Sequence, residues 1–129
     1  MSGADAGGWL REHAHLLRTI DPDGDDYTDL EPLRDIVGDA RVVAIGESTH
    51  RIHEFYQIRH RLTRFLVREL GFTAFVMESG FPEGLAVDAW TRGGPGDRHE
   101  LQRDGITYHF GKCEEMGEQL DWLLSLIHI

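Results

Sequence analysis

The chain has 129 residues, of which 40% are hydrophobic, and its 13 basic and 23 acidic side chains give a formal net charge of −10. This length suits one globular domain, and the acidic balance argues against nucleic acid and anionic membranes as partners, since both select for basic surfaces. No apolar run reaches the length of a membrane span or a signal peptide, and the single cysteine, Cys113, excludes a disulfide framework within the chain. We therefore expect a cytoplasmic protein.

The first forty residues are predicted to form two helices around an acidic turn. Apolar residues at helical spacing predict an amphipathic helix over residues 7–20. The DPDGDD run at 21–26 has Asp26 where a calcium-binding loop needs glycine, and Pro32 lies where the loop needs glutamate, so the run predicts a solvated turn. Thr28 and Glu31 have the spacing of a capping box before a short second helix, which Gly38 ends.

The next stretch predicts a strand, a helix and a second strand. Residues 42–45 and 72–77 are continuous apolar runs, which are typical of parallel strands buried on both faces. Between them, apolar residues recur at helical spacing over 52–70, and Gly71 lies where a helix-ending glycine belongs. Two parallel strands joined by a helix form a βαβ unit, so the sequence predicts an α/β fold with a parallel sheet and flanking helices.

Three further helices are predicted after this unit. The first opens at Phe81 and ends before the GGPG loop at 93–96, and the second begins at the capping pair formed by Asp97 and Glu100. The third has an apolar stripe that includes Cys113, so this cysteine is expected to be a core residue.

Four polar residues are predicted to lie together at one edge of the sheet. Glu47 follows the first predicted strand and Glu78 follows the second, and the carboxyl ends of parallel strands meet at the edge where open α/β sheets bind ligands. His50 lies in the same turn as Glu47. Arg59 interrupts the apolar stripe of the long helix, where a guanidinium needs an acidic partner, and the two glutamates are the candidates.

Simpler interpretations of these residues stay open. His50 could form a hydrogen bond at the start of the helix without any catalytic role, and Arg59 could form a purely structural ion pair. Ser48 is not expected to be a nucleophile, because the nucleophile-elbow pattern needs a glycine where His50 stands.

A polar face of the long helix also has two interpretations. The residues that share it are His53, Gln57, His60 and Arg64. The run around His53 and Glu54 matches neither HExxH nor HxxEH, so a polar flank is preferred over a metal site.

Several motifs in order resemble one known family. GESTH follows the first predicted strand, IRHRLTRFLVRELGF lies along the helix and VMES follows the second strand. The pattern continues through FPEGLAVDAW and GITYHFGKCEEMGEQLDWL, so it covers roughly residues 30–123. Together these motifs resemble the erythromycin esterase family.

The resemblance implies a carboxylic-ester hydrolase, and the best-known members open the lactone ring of macrolide antibiotics and so confer resistance. By the resemblance, His50 is the general base that activates water, Glu47 and Glu78 are the accompanying catalytic carboxylates, and Arg59 binds substrate. The implied partner is a small-molecule ester or lactone, and no cofactor is expected. Two alternatives stay open. One is a metal-dependent hydrolase of the same fold, and the other is a non-catalytic relative whose Glu–Arg–Glu cluster is structural.

The resemblance also bears on how much of a domain is present. Family members are much longer, so we expect residues 1–123 to be the N-terminal part of a hydrolase domain, truncated after the first βαβ unit and the following helices, and inactive alone. The last six residues, LSLIHI at 124–129, depart from the family pattern and resemble a sequencing adapter. We therefore expect a non-native tail there.

Overall fold

The structure is a computed structural model that describes residues 6–128. Its α-helices are α1 (Ala6–His13), α2 (Pro32–Val37), α3 (His53–Leu70), α4 (Phe81–Thr91), α5 (Arg98–Gly105) and α6 (Glu114–Ser125). Short 3-10 turns occur at Thr28–Leu30, Phe110–Lys112 and Leu126–His128. Within this part of the chain, no helix combines the length and the hydropathy needed to cross a bilayer.

The helices from α3 to α6 confirm the sequence predictions, because their ends are set by local signals. α3 ends at Gly71, which adopts the left-handed conformation (φ 74°) that a glycine tolerates best at this position. α5 begins after Asp97, whose carboxylate accepts a hydrogen bond from the backbone N–H of Glu100 at 3.0 Å. Both signals act within a few residues, so no tertiary information is needed to place them.

The first helix is shorter than predicted. α1 ends at His13, and the following residues up to 27 form no α-helix. Burial does not stabilise the predicted helix there, since the side chain of Leu16 on its apolar face is 84% exposed. Instead, side chains hold this segment: the carbonyl of Thr19 accepts a hydrogen bond from Arg61 on α3 at 3.0 Å.

The predicted parallel sheet is wrong for the described residues, which contain no β-strand. Residues 42–45 and 73–77 form no backbone–backbone hydrogen bonds with one another or with any other described segment. They were expected to be buried on both faces, but Val42 is 83% exposed and Val76 is 89% exposed. Strand geometry requires a hydrogen-bonded neighbour, and here both segments lie beside one cavity along α3 instead of pairing directly.

The hydrophobic core divides into two clusters, and α3 contributes to both. The larger cluster joins α3 to α4, α5 and α6 through Tyr56, Trp90, Ile106, Phe110, Met116 and Leu120. The smaller one packs Phe65 against Tyr27 and Leu30 in the N-terminal segment. α3 is therefore the element against which the other helices pack.

The polar flank predicted on α3 is buried over its C-terminal half. His60 is 3% exposed and Arg64 is 8% exposed. The Arg64 guanidinium lies over the Trp122 ring of α6 at 5.6 Å and pairs with Asp23 at 3.0 Å. Periodicity identified a polar face, but α6 and the acidic loop at 21–26 cover it in three dimensions. The acidic loop thus supplies ion-pair partners to this face of α3.

The C-terminal hexapeptide continues the last helix. α6 ends at Ser125 and a 3-10 turn follows at Leu126–His128, while Ile129 lies outside the described residues. That residues 124–129 are a non-native tail stays a prediction.

Candidate functional site

A cavity of about 630 Å³ lies between α3 and the two irregular segments at 41–48 and 72–78. All four residues that the sequence singled out line it: Glu47, His50, Arg59 and Glu78. The expectation that these residues share one site is therefore matched by their placement, although loops rather than strand ends bring them there.

His50 and Glu47 form the first contact of the site. His50 Nδ1 is hydrogen-bonded to Glu47 Oε1. An ionised carboxylate can only accept, so in this hydrogen bond Nδ1 is the donor. In the neutral tautomer that has its proton on Nδ1, Nε2 is an acceptor. The imidazole is held edge-on to the Phe110 ring, with centroids 4.8 Å apart. His50 is therefore oriented on one side by a carboxylate and on another by an aromatic ring, while its side chain stays 59% exposed.

Arg59 completes the contact from α3. One terminal nitrogen of its guanidinium lies 3.9 Å from Glu47 Oε2, and its side chain is only 15% exposed. The guanidinium also lies over the Tyr56 ring at 4.5 Å, close enough for a cation–π interaction. Arg59 thus has the acidic partner that the sequence required, and that partner is Glu47.

Several polar atoms of this cluster are buried without a hydrogen-bond partner among the described residues. They are Glu47 Oε2 and two guanidinium nitrogens of Arg59, Nε and one terminal nitrogen. A buried polar atom without a partner costs roughly 1–3 kcal/mol, and more when it is charged. Such atoms are rare in proteins and are often found where a ligand or a reaction uses them. Here they belong to residues that line the cavity.

Glu78 and Ser48 are less engaged. Both line the cavity, but neither forms a hydrogen bond or an ion pair with another residue of the described chain. Arg59 was expected to lie between the two glutamates, and within residues 6–128 it pairs only with Glu47. Glu78 is therefore placed at the site without a fixed role in its hydrogen bonding.

The arrangement has the parts of a water-activating site. An imidazole whose Nδ1 donates to a carboxylate can accept a proton at Nε2, as a general base does. A guanidinium near the same carboxylate can stabilise negative charge that develops on a substrate oxygen.

The sequence missed one pairing. His53 Nδ1 is hydrogen-bonded to Glu115 Oε1 at the start of α6, a residue 62 positions away. This contact raises the pKa of His53 and lowers the pKa of Glu115. The helical period could place His53 on a polar face of α3, but no local signal indicates which side chain of α6 packs there.

Within residues 6–128, no group of three or more His, Cys, Asp or Glu side chains is arranged to hold a metal ion. His50 and Glu47 lie together with a guanidinium, and His53 and Glu115 form a separate pair. Each of these two groups is therefore a single histidine–carboxylate pair rather than a metal-binding cluster.

Comparison with known proteins identifies relatives over most of the chain. The sequence profile of a family described as erythromycin esterase matches residues 67–125. Erythromycin esterase type II of Escherichia coli is 42% identical over 115 residues, which are 89% of this chain and 26% of that protein. Erythromycin esterase type I of Escherichia coli is 32% identical over 108 residues, 84% of this chain and 26% of the relative. The chain thus spans about a quarter of the length of these curated relatives.

A solved structure supports the arrangement of the helices. The crystal structure of a Bacillus cereus protein matches with a TM-score of 0.85 and 35% sequence identity. The match covers 95% of this chain and 28% of the other.

Proposed function

Because the chain belongs to the erythromycin esterase family, we propose that its site hydrolyses a carboxylic ester of a small molecule. A macrolide lactone is the first substrate to test, since two relatives are named erythromycin esterases. The observation that carries the proposal is the contact chain from His50 through Glu47 to Arg59, which ends in buried, unpartnered polar atoms at a cavity.

In the proposed reaction, His50 Nε2 accepts a proton from a water molecule as the water oxygen attacks the ester carbonyl carbon. Glu47 holds the imidazole in the tautomer that this step needs. The tetrahedral intermediate carries negative charge on the former carbonyl oxygen, and Arg59 is proposed to stabilise it. His50 then returns the proton to the departing alkoxide oxygen, which leaves a carboxylic acid and an alcohol. Glu78, which lines the same cavity, is proposed as the second carboxylate of the site.

The hydrolysis is proposed to need no cofactor, and the alternative is a metal-dependent reaction at the same cavity. Chelator treatment distinguishes them, because activity that survives chelation supports direct activation of water by His50. Activity that is lost in chelator and restored by a divalent ion contradicts the metal-free mechanism.

The test uses two proteins: the 129-residue chain, and a chimera in which it replaces the aligned region of the Escherichia coli type II relative. Hydrolysis of erythromycin is followed by mass spectrometry as the gain of one water. We expect the chimera to be active and the variant His50→Ala to lose at least about 100-fold in turnover, the usual size of a general-base contribution. The control is His99→Ala, because His99 is an exposed residue of α5 that does not line the cavity.

An active His50→Ala chimera contradicts the role of His50 as the base. Equal losses in His50→Ala and His99→Ala contradict it as well, because they indicate damage to the fold. A chimera with the native sequence that folds but hydrolyses neither macrolide lactones nor simple esters favours the non-catalytic alternative and contradicts the proposal.

A further inference from the structure

A second cavity, of about 490 Å³, lies beside the first and shares no lining residue with it. Its walls are formed by Arg51, His53, Tyr56, His109, Lys112, Cys113 and Glu115. Tyr56 connects the two cavities, because it lines the second one while its ring lies 4.5 Å from the guanidinium of Arg59, which lines the first. None of the residues proposed for ester hydrolysis belongs to this second cavity.

Its charge is unusual for this chain. Most arginines in the described region have a carboxylate partner, as acidic residues outnumber basic ones 23 to 13 in the whole sequence. Within residues 6–128, the lining cations Arg51 and Lys112 form no ion pair. Cations that find no carboxylate in so acidic a chain are available to an external anion.

The one carboxylate of the lining is already engaged. Glu115 is hydrogen-bonded to His53, and this contact raises the pKa of His53, which favours the imidazolium. Glu54 and Glu118 add longer-range attraction to His53, but neither lines the cavity. Because the Glu115 carboxylate is already hydrogen-bonded to His53, Arg51 and Lys112 are left as lining cations without a carboxylate partner among the described residues.

The backbone around the cavity is in a costly conformation. Only three non-glycine residues of the described chain have left-handed φ values, and two of them, Arg51 (φ 65°) and His109 (φ 67°), line this cavity. Each such residue costs on the order of 1 kcal/mol, and residues of this kind cluster at ligand-binding and active sites. The two loops that carry the basic rim are thus held in place at a cost.

The floor of the cavity is apolar. Tyr56 is buried, and its pKa is raised mainly by that burial, so its hydroxyl stays protonated at neutral pH. Cys113 is half-buried, and burial likewise raises the pKa of its thiol, which makes it a poor nucleophile and a neutral wall. A basic rim over an aromatic and thiol floor suits a small molecule that has both an anionic group and an apolar body.

We propose that this second cavity binds an organic anion, with its charged group against Arg51 and Lys112 and its apolar part against Tyr56 and Cys113. The charged group has the chemistry of a carboxylate or a phosphate, both of which arginine and lysine bind through charge-assisted hydrogen bonds. The proposal stands independently of ester hydrolysis, because the two cavities have separate linings.

Three probes with the same ring and different head groups test it on the 129-residue chain: benzoate, phenyl phosphate and the uncharged benzamide. Binding is measured by titration calorimetry at low and high salt. We expect at least one of the two anions to bind about tenfold or more tightly than benzamide, with an affinity that falls as salt rises. The preferred anion identifies the head group as carboxylate or phosphate. Equal binding of all three probes, or no binding of either anion, overturns the proposal.

Charge-removing variants locate the binding. The double variant Arg51→Gln with Lys112→Gln is expected to weaken anion binding about tenfold or more, and benzamide binding far less. The matched control is Arg92→Gln, because Arg92 is an exposed arginine just after α4 that pairs with Asp88 and lines neither cavity. Equal weakening in the control and the double variant overturns the assignment to this cavity. Circular dichroism and a urea transition for each variant exclude loss of the fold as the cause.

Discussion

Replacing Asp29 by asparagine tests the tie between the N-terminal segment and α3. Asp29 is 6% exposed and Arg61 is fully buried. The guanidinium donates to both carboxylate oxygens, at 2.6 and 3.0 Å, and the backbone N–H of Arg18 donates to one of them at 2.9 Å. Asparagine is close to aspartate in size, so the substitution Asp29→Asn removes the charge without opening a cavity. It leaves the Arg61 guanidinium buried without a counter-charge.

The size of the effect follows from the pKa of Asp29. Hydrogen bonds, first those from the Arg61 guanidinium and then that from the Arg18 backbone N–H, lower that pKa from the usual 3.8 to about 2. One pKa unit corresponds to about 1.4 kcal/mol, so these contacts together contribute roughly 2 kcal/mol to stability at neutral pH. Removing one partner of a buried ion pair costs about 3–5 kcal/mol in other proteins, because the remaining charge is uncompensated. We therefore expect Asp29→Asn to lower the free energy of unfolding by roughly 2–4 kcal/mol.

The dependence on pH gives a second test of the same contact. The folded-state pKa of Asp29 is lower than the unfolded one, so its contribution is present above about pH 4 and is lost as the pH falls through about 2. The difference in the free energy of unfolding between wild type and Asp29→Asn should therefore shrink as the pH falls from about 4 to about 2.

Urea unfolding followed by circular dichroism measures both quantities. The control is Asp88→Asn on α4, since Asp88 pairs with Arg92 at 3.0 Å but is largely exposed. An exposed pair of this kind is worth about 0–1 kcal/mol. A loss in Asp29→Asn no larger than in Asp88→Asn, or a gap that does not change with pH, would refute the reasoning.

Two further substitutions test the burial of α3 and the close approach of the 3-10 turn at Phe110–Lys112 to α5. Burial lowers the pKa of His60 to about 4, so unfolding takes up a proton and stability should fall by up to roughly 3 kcal/mol as the pH drops from 6.5 to 4. The variant His60→Gln should flatten this part of the pH profile of the urea midpoint; a profile as steep as that of wild type contradicts the buried, neutral imidazole. A Cβ on Gly111 would overlap the backbone carbonyl oxygen of Gln102 on α5, so Gly111→Ala should lower the free energy of unfolding by about 1–3 kcal/mol or more. Gly117→Ala on α6 is its control, because the atoms that a Cβ would meet there are ends of long side chains that can move. An equal loss of stability in both variants contradicts the close backbone approach at Gly111.

The sequence alone determined α3 and α5 most directly, because α3 ends and α5 begins at residues that interact within one turn. Gly71 closes α3 and Asp97 caps α5, and neither depends on a distant contact. The apolar runs at 42–45 and 72–77 misled for the opposite reason. Apolar composition indicates burial somewhere, whereas a strand exists only when another segment supplies its hydrogen bonds.

The contacts around the site likewise fall into those that the sequence could predict and those that only the tertiary structure decided. Glu47 and His50 are three residues apart, and Arg59 follows on the adjoining helix, so chain proximity was enough to group them; their catalytic roles stay predictions. Only the tertiary structure decided that His53 pairs with Glu115, 62 positions away, and that Arg61 pairs with Asp29, 32 positions away. Such partners are chosen by how helices pack and which charges that packing buries. Local periodicity carries no information about either.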